Sequence, residues 1–221
     1  MARVLAFGCP HLPFEKEGYL EWLIEMKNKW KCNKVVCLGD LVDNHSISYH
    51  EHDPNGWSPN DEMEATDKHL ARWFKAFPSL VITRGNHDNL VDRKGKTVGL
   101  PKRCFQPFRK IWKLPTRWKD CFEVEIDGVL YKHGVGFSGK YGHMSAASDA
   151  GQSTVIAHLH SILGIQYMVT NKTAKFGLCV GCGIDRRKYA FAYGKDMRRK
   201  PIIGAGIILD GETAFVERMP L

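Results

Sequence analysis

Long apolar runs are what this sequence most lacks. Its longest apolar stretch near the C-terminus, residues 202–209, is far short of the roughly 20 residues that a membrane-spanning helix needs. The first residues run directly into Gly8-Cys9-Pro10-His11, which leaves no room for the apolar region of a secretory leader. Cysteine lacks a full set of pairs, seven scattered through 221 residues, which argues against a disulfide scaffold and for a reducing compartment where thiols stay free for metal. Internal repeats, low-complexity tracts and a credible linker are also missing. With 43% hydrophobic residues, disordered and fibrous classes are excluded and one sizeable core is expected. The expectation is therefore an intracellular protein with one domain over 1–221.

Basic residues outnumber acidic ones by 32 to 24, a net charge of +8 that favours an anionic partner. The charge is unevenly spread. Residues 35–67 hold eight acidic side chains and no Lys or Arg, whereas residues 92–119 hold ten basic and one acidic. In that basic insertion or cap, Phe105, Phe108, Trp112 and Trp118 are interleaved with Arg103, Arg109, Lys110, Lys113 and Arg117. Such residues can stack on bases and pair with phosphates; equally, the aromatics can face inward beneath solvated cations. Arg186-Arg187-Lys188 and Arg198-Arg199-Lys200, around Tyr189, Phe191 and Tyr193, carry the same two readings.

Periodicity predicts strands over 4–7, 34–38 and 80–83, with helices over 17–31 and 61–77 between them. Alternating strands and helices imply an α/β fold with a largely parallel sheet, whose ligands gather beyond the strand C-termini. From residue 120 on, runs at 122–126, 129–133, 154–157, 164–169, 176–180, 202–209 and 213–218 read as strands of a second, more antiparallel sheet.

Five polar clusters each follow a predicted strand: Cys9-Pro10-His11, Gly39-Asp40-Leu41-Val42-Asp43, Gly85-Asn86-His87-Asp88, His133-Gly134 and His158-Leu159-His160. Imidazoles, a carboxylate, an amide oxygen and a thiol together suit borderline transition metals such as Zn, Fe or Mn. A lone histidine is more often structural, but five clusters in this order and placement shift the weight to a site.

This pattern resembles the calcineurin-like metallophosphoesterases, whose motifs run DxH, GDxxD, GNH[DE], H and GHxH along the chain; here it spans residues 7–160. The resemblance implies a four-layer α/β sandwich of two mixed β-sheets flanked by helices. It also implies two divalent transition metal ions, Fe(II), Zn(II) or Mn(II). Cys9, His11, Asp40 and His160 would hold one, and Asp40, Asn86, His133 and His158 the other, with a bridging hydroxide attacking phosphorus. His87 would protonate the leaving oxygen, with Asp88 orienting its ring.

Two positions depart from the common pattern: Cys9 stands for Asp, and Ala157 replaces the Gly before His158. Both are similar to the RNA lariat debranching enzymes, phosphodiesterases that cleave the 2′,5′ linkage of a branch nucleotide. The resemblance thus implies a phosphodiesterase acting on RNA or another nucleic acid, with 2′,5′ bonds among its targets. A broad nucleotide phosphodiesterase or phosphomonoesterase, and a nucleic-acid-binding protein with an inactive metal site, stay open. Asn44 stands where related protein phosphatases carry an Arg that grips a monoester, which favours diesters. Candidate substrate contacts are Asn44, His45, Arg84, Arg103 and Arg109, and His50 and His52 read as a loop near the entrance. Cys179 and Cys182 read as core and turn thiols near the site rather than a zinc pair.

Overall fold

The computed structural model describes residues 1–49, 55–188 and 198–220. Strand β1 (Arg3–Phe7) shows why the fold is layered: Leu5 and Phe7 enter one core, Val4 and Ala6 another. That period-two alternation, apolar on both faces, belongs to a strand covered from both sides. Strands β2 (Lys34–Cys37), β3 (Leu80–Thr83) and β4 (Trp118–Cys121) extend from β1 in parallel, with Leu5 opposite Val35 and Val36 opposite Val81. A buried central strand needs a partner on its other edge as well. β10 (Gly204–Leu209) supplies it antiparallel, Leu5 opposite Ile207, and β11 (Thr213–Arg218) closes the six-stranded sheet as a half-exposed edge. The last two strands were expected in the second sheet; instead, they complete the first.

The second sheet runs β5 (Glu123–Ile126), β6 (Val129–Lys132), β7 (Thr154–Ile156), β9 (Ala174–Val180) and β8 (Leu163–Val169) in that order. It is mixed rather than mainly antiparallel, because β6–β7 and β7–β9 pair in parallel. A parallel step requires a crossover, and helix α5 (Gly142–Ala150) makes it between β6 and β7.

Helices α1 (Tyr19–Lys29) and α2 (Pro59–Ala76) cover the outer face of the first sheet, with Leu20, Leu23, Leu70 and Trp73 packed on Leu5, Phe7, Val35 and Cys37. The Ser58 Oγ accepts the Asp61 backbone N–H at 3.2 Å and Pro59 opens the first turn, so α2 begins with both its cap and its φ set in advance. Between the sheets, Val36, Leu38 and Ile208 meet Tyr131, Val155, Leu178 and Val180. On the far side Ala146 of α5 rests on Ile156 and Cys179. The result is the expected four-layer sandwich.

The basic segment 92–119 is woven into this framework. It runs through α3 (Leu90–Thr97) and α4 (Phe108–Ile111) into β4, and Phe108, Trp112 and Trp118 are core residues. These three rings therefore take the inward reading; Phe105 alone of the four remains half-exposed. Residues 50–53 and Tyr189, Phe191 and Tyr193 lie outside the described residues. Among the described residues no helix is long and apolar enough to cross a membrane, and all seven cysteines are free thiols.

Candidate metal centre

All five polar clusters sit at the C-terminal ends of strands, three from the first sheet (β1, β2, β3) and two from the second (β6, β7). The loops after β1 and β2 continue their strands' pairing: Cys9, His11 and Leu12 donate backbone N–H groups to the carbonyls of Gly39, Asp40 and Leu41 at 2.9–3.0 Å. The ladder fixes the first two motifs side by side. Cys9, His11, Asp40 and His158 all adopt positive φ, between 47° and 61°. Of the nine non-glycine residues with positive φ among the described residues, four are therefore motif residues, a backbone held in place to aim side chains.

Two donor sets share Asp40, and a third group, His11, Asp43 and His87, adjoins them. Cys9, His11, Asp40 and His160 form one cluster and Asp40, His133 and His158 another, with ligand atoms in each within 4.8 Å of one another. Asn86 joins the second, its Oδ1 lying 3.1 Å from His133 Nε2. Asp40 belongs to both. The two imidazole pairs carry most weight: His11 Nε2 lies 3.2 Å from His160 Nε2, and His133 Nε2 3.1 Å from His158 Nδ1. Nitrogens sharing a tetrahedral ion at 2.0–2.1 Å stand about 3.3 Å apart, so both pairs are spaced as the edges of a coordination polyhedron.

The opposite ring nitrogens are tied down as metal-ligating histidines require. His133 Nδ1 donates to the Leu38 carbonyl at 2.6 Å and His11 Nδ1 to Asp43 Oδ1 at 2.7 Å, which leaves each Nε2 facing the cluster. Burial, then the neighbouring His133, pushes His158 down to about 4; burial, then His11, holds His160 well below the usual range. Both rings therefore stay neutral, the form that ligates. Burial opposes ionisation of Asp40, yet His133, His87 and His11 hold its carboxyl well below the usual carboxylate range. Burial, then the Asp40 charge, pushes the Cys9 thiol well up, and its sulfur accepts the His158 backbone N–H at 3.4 Å. The donor set fits divalent transition ions of borderline character.

His87 stands beside the cluster, its ring 4.6 Å from that of His11. Its Nδ1 lies 2.7 Å from the Asp43 carbonyl and 3.0 Å from Asp43 Oδ1, leaving Nε2 for substrate. Burial opposes its charge, but Asp40 and then Asp43 override this and raise the ring to about 10. The orienting carboxylate is thus Asp43, not Asp88 as expected. Asp88 accepts the backbone N–H groups of Val42, 3.2 Å, and Gly85, 2.8 Å, so it staples the second and third motif loops together. The sequence reading also missed Glu62 of α2, whose carboxylate takes the backbone N–H groups of His45, 2.7 Å, and Ser46, 2.8 Å, and so fixes the loop after Asp43.

The departure at Ala157 has a steric counterpart. A Cβ on Gly8 would lie 2.4 Å from the Ala157 Cβ, so the methyl group at 157 occupies space that a bare glycine at 8 leaves open. Cys179 and Cys182, both pushed up to about 12 by burial, lie behind the last motif with their thiols near the carbonyls of Leu159 and His160.

The expected substrate contacts divide. Asn44 Nδ2 donates to the His87 carbonyl at 3.1 Å and so serves the motif loops, and His45 is buried with its Nδ1 4.0 Å from Asp43 Oδ2. Arg84 lines a cleft of 590 Å³ that opens beside Asn86 and His133. Arg103 and Arg109 line a neighbouring cleft, and Arg109 is tied to Asp120 Oδ1 at 3.2 Å and to the Trp118 carbonyl at 2.7 Å.

A profile of the calcineurin-like phosphoesterase family matches residues 2–177. A search of curated proteins finds no match. Among solved structures, vacuolar protein sorting 29 from Cryptosporidium parvum is similar at 12% identity over 99% of this chain and 97% of that one, TM-score 0.47. YfcE, a phosphoesterase from E. coli, is similar at 13% identity over 93% and 87%, TM-score 0.39. A metallophosphoesterase from Sphaerobacter thermophilus is similar at 14% identity over 99% and 88%, TM-score 0.44.

Proposed function

Because the chain belongs to the calcineurin-like phosphoesterase family, we propose that it is a phosphodiesterase of RNA or another nucleic acid, using two divalent transition metal ions and including 2′,5′ linkages among its targets. The observation that carries this reading is the pair of four-donor sets sharing Asp40, with imidazole nitrogens 3.1 and 3.2 Å apart. Cys9, His11, Asp40 and His160 would hold one ion, and Asp40, Asn86, His133 and His158 the other. When bound, such ions supply Lewis-acid charge for a phosphoryl oxygen and acidify a water to a nucleophile.

The remaining chemistry falls to the chain's own side chains. His87, paired through Nδ1 with Asp43, gives the Nε2 proton to the leaving oxygen. Asp43 keeps that ring aligned through Nδ1 and aligns His11 through its own Oδ1. Asn44 supports the same loop from the His87 carbonyl rather than gripping a terminal phosphate, which favours diesters over monoester dianions. Cys9 in the first motif and Ala157 in the last are what favour the debranching-type bond.

The test compares branched RNA, linear RNA and bis-p-nitrophenyl phosphate with Zn(II), Mn(II) or Fe(II) added. Preferential cleavage of branched RNA is expected, and equal rates on all three would reduce the reading to a broad nucleotide phosphodiesterase. His87→Ala should abolish nearly all turnover while sparing metal content; a fully active variant would remove His87 from the chemistry. RNA binding with no bound metal and no hydrolysis would leave a nucleic-acid-binding protein with an inactive site.

A further inference from the structure

The cleft beside Asn86 and His133 has a composition that the metal chemistry does not use. Its wall is cationic, Arg84, Arg93, Lys96, Lys102 and Lys132 against Asp92 and Glu123, yet it also carries Phe122 and Phe105. Phe122 is 62% exposed, an apolar ring presented to solvent in a cleft lined by five cations. The Arg84 guanidinium lies 4.5 Å from the centre of the Phe122 ring. Asp120, 3.7 Å from Arg84 Nε and 3.2 Å from Arg109 Nε, keeps Arg84 in that position, and the Arg84 side chain is only 16% exposed. Phe105 is also fixed, because its ring occupies the space over Gly95 where a Cβ would stand 2.2 Å away.

We infer that this cleft is a base-stacking subsite, with Phe122 and Arg84 as the platform, for a nucleotide flanking the scissile phosphate. The inference rests on the nucleic-acid reading above and names where the strand lies. Asn86 and His133 belong to both the donor sets and the cleft, so a phosphodiester at the cluster projects one of its arms directly into it. A flat π-system attached to a phosphate is what a fixed aromatic ring among cations recognises, since stacking and phosphate pairing act on adjacent parts of one ligand. The second cleft, 510 Å³, shares Arg84, Asp92, Lys102 and Phe105 with the first and adds Arg103 and Arg109. The groove therefore continues past one nucleotide, which suits an oligonucleotide strand rather than a mononucleotide.

The test is a double cycle on binding, read on chelated protein so that hydrolysis plays no part. A short RNA with 2-aminopurine next to the central phosphate, and its abasic counterpart, are titrated into wild type, Phe122→Ala and Phe122→Trp. Wild type should quench the fluorophore. Phe122→Ala should bind the base-bearing strand roughly 5- to 150-fold more weakly, without quenching, and Phe122→Trp should restore both. Loss of the base and loss of the ring should be one and the same loss, so that the abasic strand no longer distinguishes Phe122→Ala from wild type. Unchanged affinity and quenching in Phe122→Ala, or independent additive losses, would overturn the subsite while leaving the phosphodiesterase reading intact. Stacking without hydrolysis of any phosphoester in the metal-loaded wild type would overturn that reading and leave the subsite standing.

Discussion

Asp43 joins two imidazoles with one carboxylate, 2.7 Å from His11 Nδ1 and 3.0 Å from His87 Nδ1, and this double role makes its charge consequential. Asp43→Asn keeps an oxygen for His11 but removes the charge that helps raise His87 to about 10. The sign follows: His87 then loses its proton at lower pH, so the alkaline limb of the rate profile should move to lower pH. Metal affinity or activity should fall by roughly 10- to 100-fold, as when a carboxylate behind a ligating histidine is lost. Asp88→Asn should instead leave the alkaline limb in place and lower stability by about 1–3 kcal/mol, because an amide nitrogen would face a backbone N–H. pH–rate profiles alongside thermal unfolding separate the two. The motif resemblance implies Asp88 for this role, but both of its oxygens are taken by the backbone N–H groups of Val42 and Gly85. Asp43, 44 residues away, is brought in by the β2 loop, a relation that no local spacing encodes. At Cys9, metal uptake must displace a proton from a thiol whose pKa is raised, so affinity should increase with pH and binding should release protons. Calorimetry in buffers of differing ionisation enthalpy reads that release directly. Cys9→Asp should fold, shift metal preference toward harder ions and release less proton near neutral pH.

At the scale of elements, the strand tips are joined by contacts too close to tolerate drift. Gly8, at the end of β1, and Ala157, at the end of β7, come from different sheets, and their meeting sets how closely the two halves of the metal cluster approach. Gly8→Ala should therefore overpack this junction, costing about 1–3 kcal/mol and weakening metal binding. Ala157→Gly on its own should be mildly destabilising. Combined, the two changes should recover most of the loss, because the methyl group has only moved across the contact; chemical denaturation of the four proteins checks this, and strictly additive losses would refute the pairing. Elements with strong periodicity, such as α2 with its Ser58 cap and Pro59 start, were legible in the sequence almost to their ends. α5 was not, because Gly-His-Met-Ser-Ala-Ala-Ser-Asp-Ala offers small residues and no apolar stripe, and the helix is held by packing on β7 and β9. β10 was recognised as a strand but placed in the wrong sheet, since its pairing with β1 spans some two hundred residues and leaves no local trace.

For the molecule as a whole, the net charge of +8 is less informative than its placement. The aromatic and basic segment 92–119 read equally well as a nucleic-acid face or a solvated cap, and the fold divides it. Trp112 and Trp118 are structural, Phe108 is buried in the core at the base of the second cleft, and Lys96, Lys102, Arg103 and Phe105 border the clefts. Residues 35–67, the acidic half of the pattern, supply Asp40, Asp43 and Glu62, all buried at or behind the cluster. Three of the segment's six described acidic residues are thus turned inward, toward imidazoles and backbone N–H groups. Positive charge, by contrast, lines the groove. If three to five of the five cations in the first cleft pair with phosphates, single-stranded RNA affinity should fall with salt along a log–log slope of about −2 to −3.5. Replacing Lys96 and Lys102 with Gln should lower the steepness by about 1.4, two contacts at roughly 0.7 each, without changing which sequence is preferred. Replacing Lys27 on α1 and Lys31 in the turn after it, on the other side of the first sheet's core from the second sheet, should leave the slope nearly unchanged. Filter binding across a salt series measures all three. Equal reductions in slope from the two pairs of substitutions would mean that overall charge, and not the groove, attracts the strand.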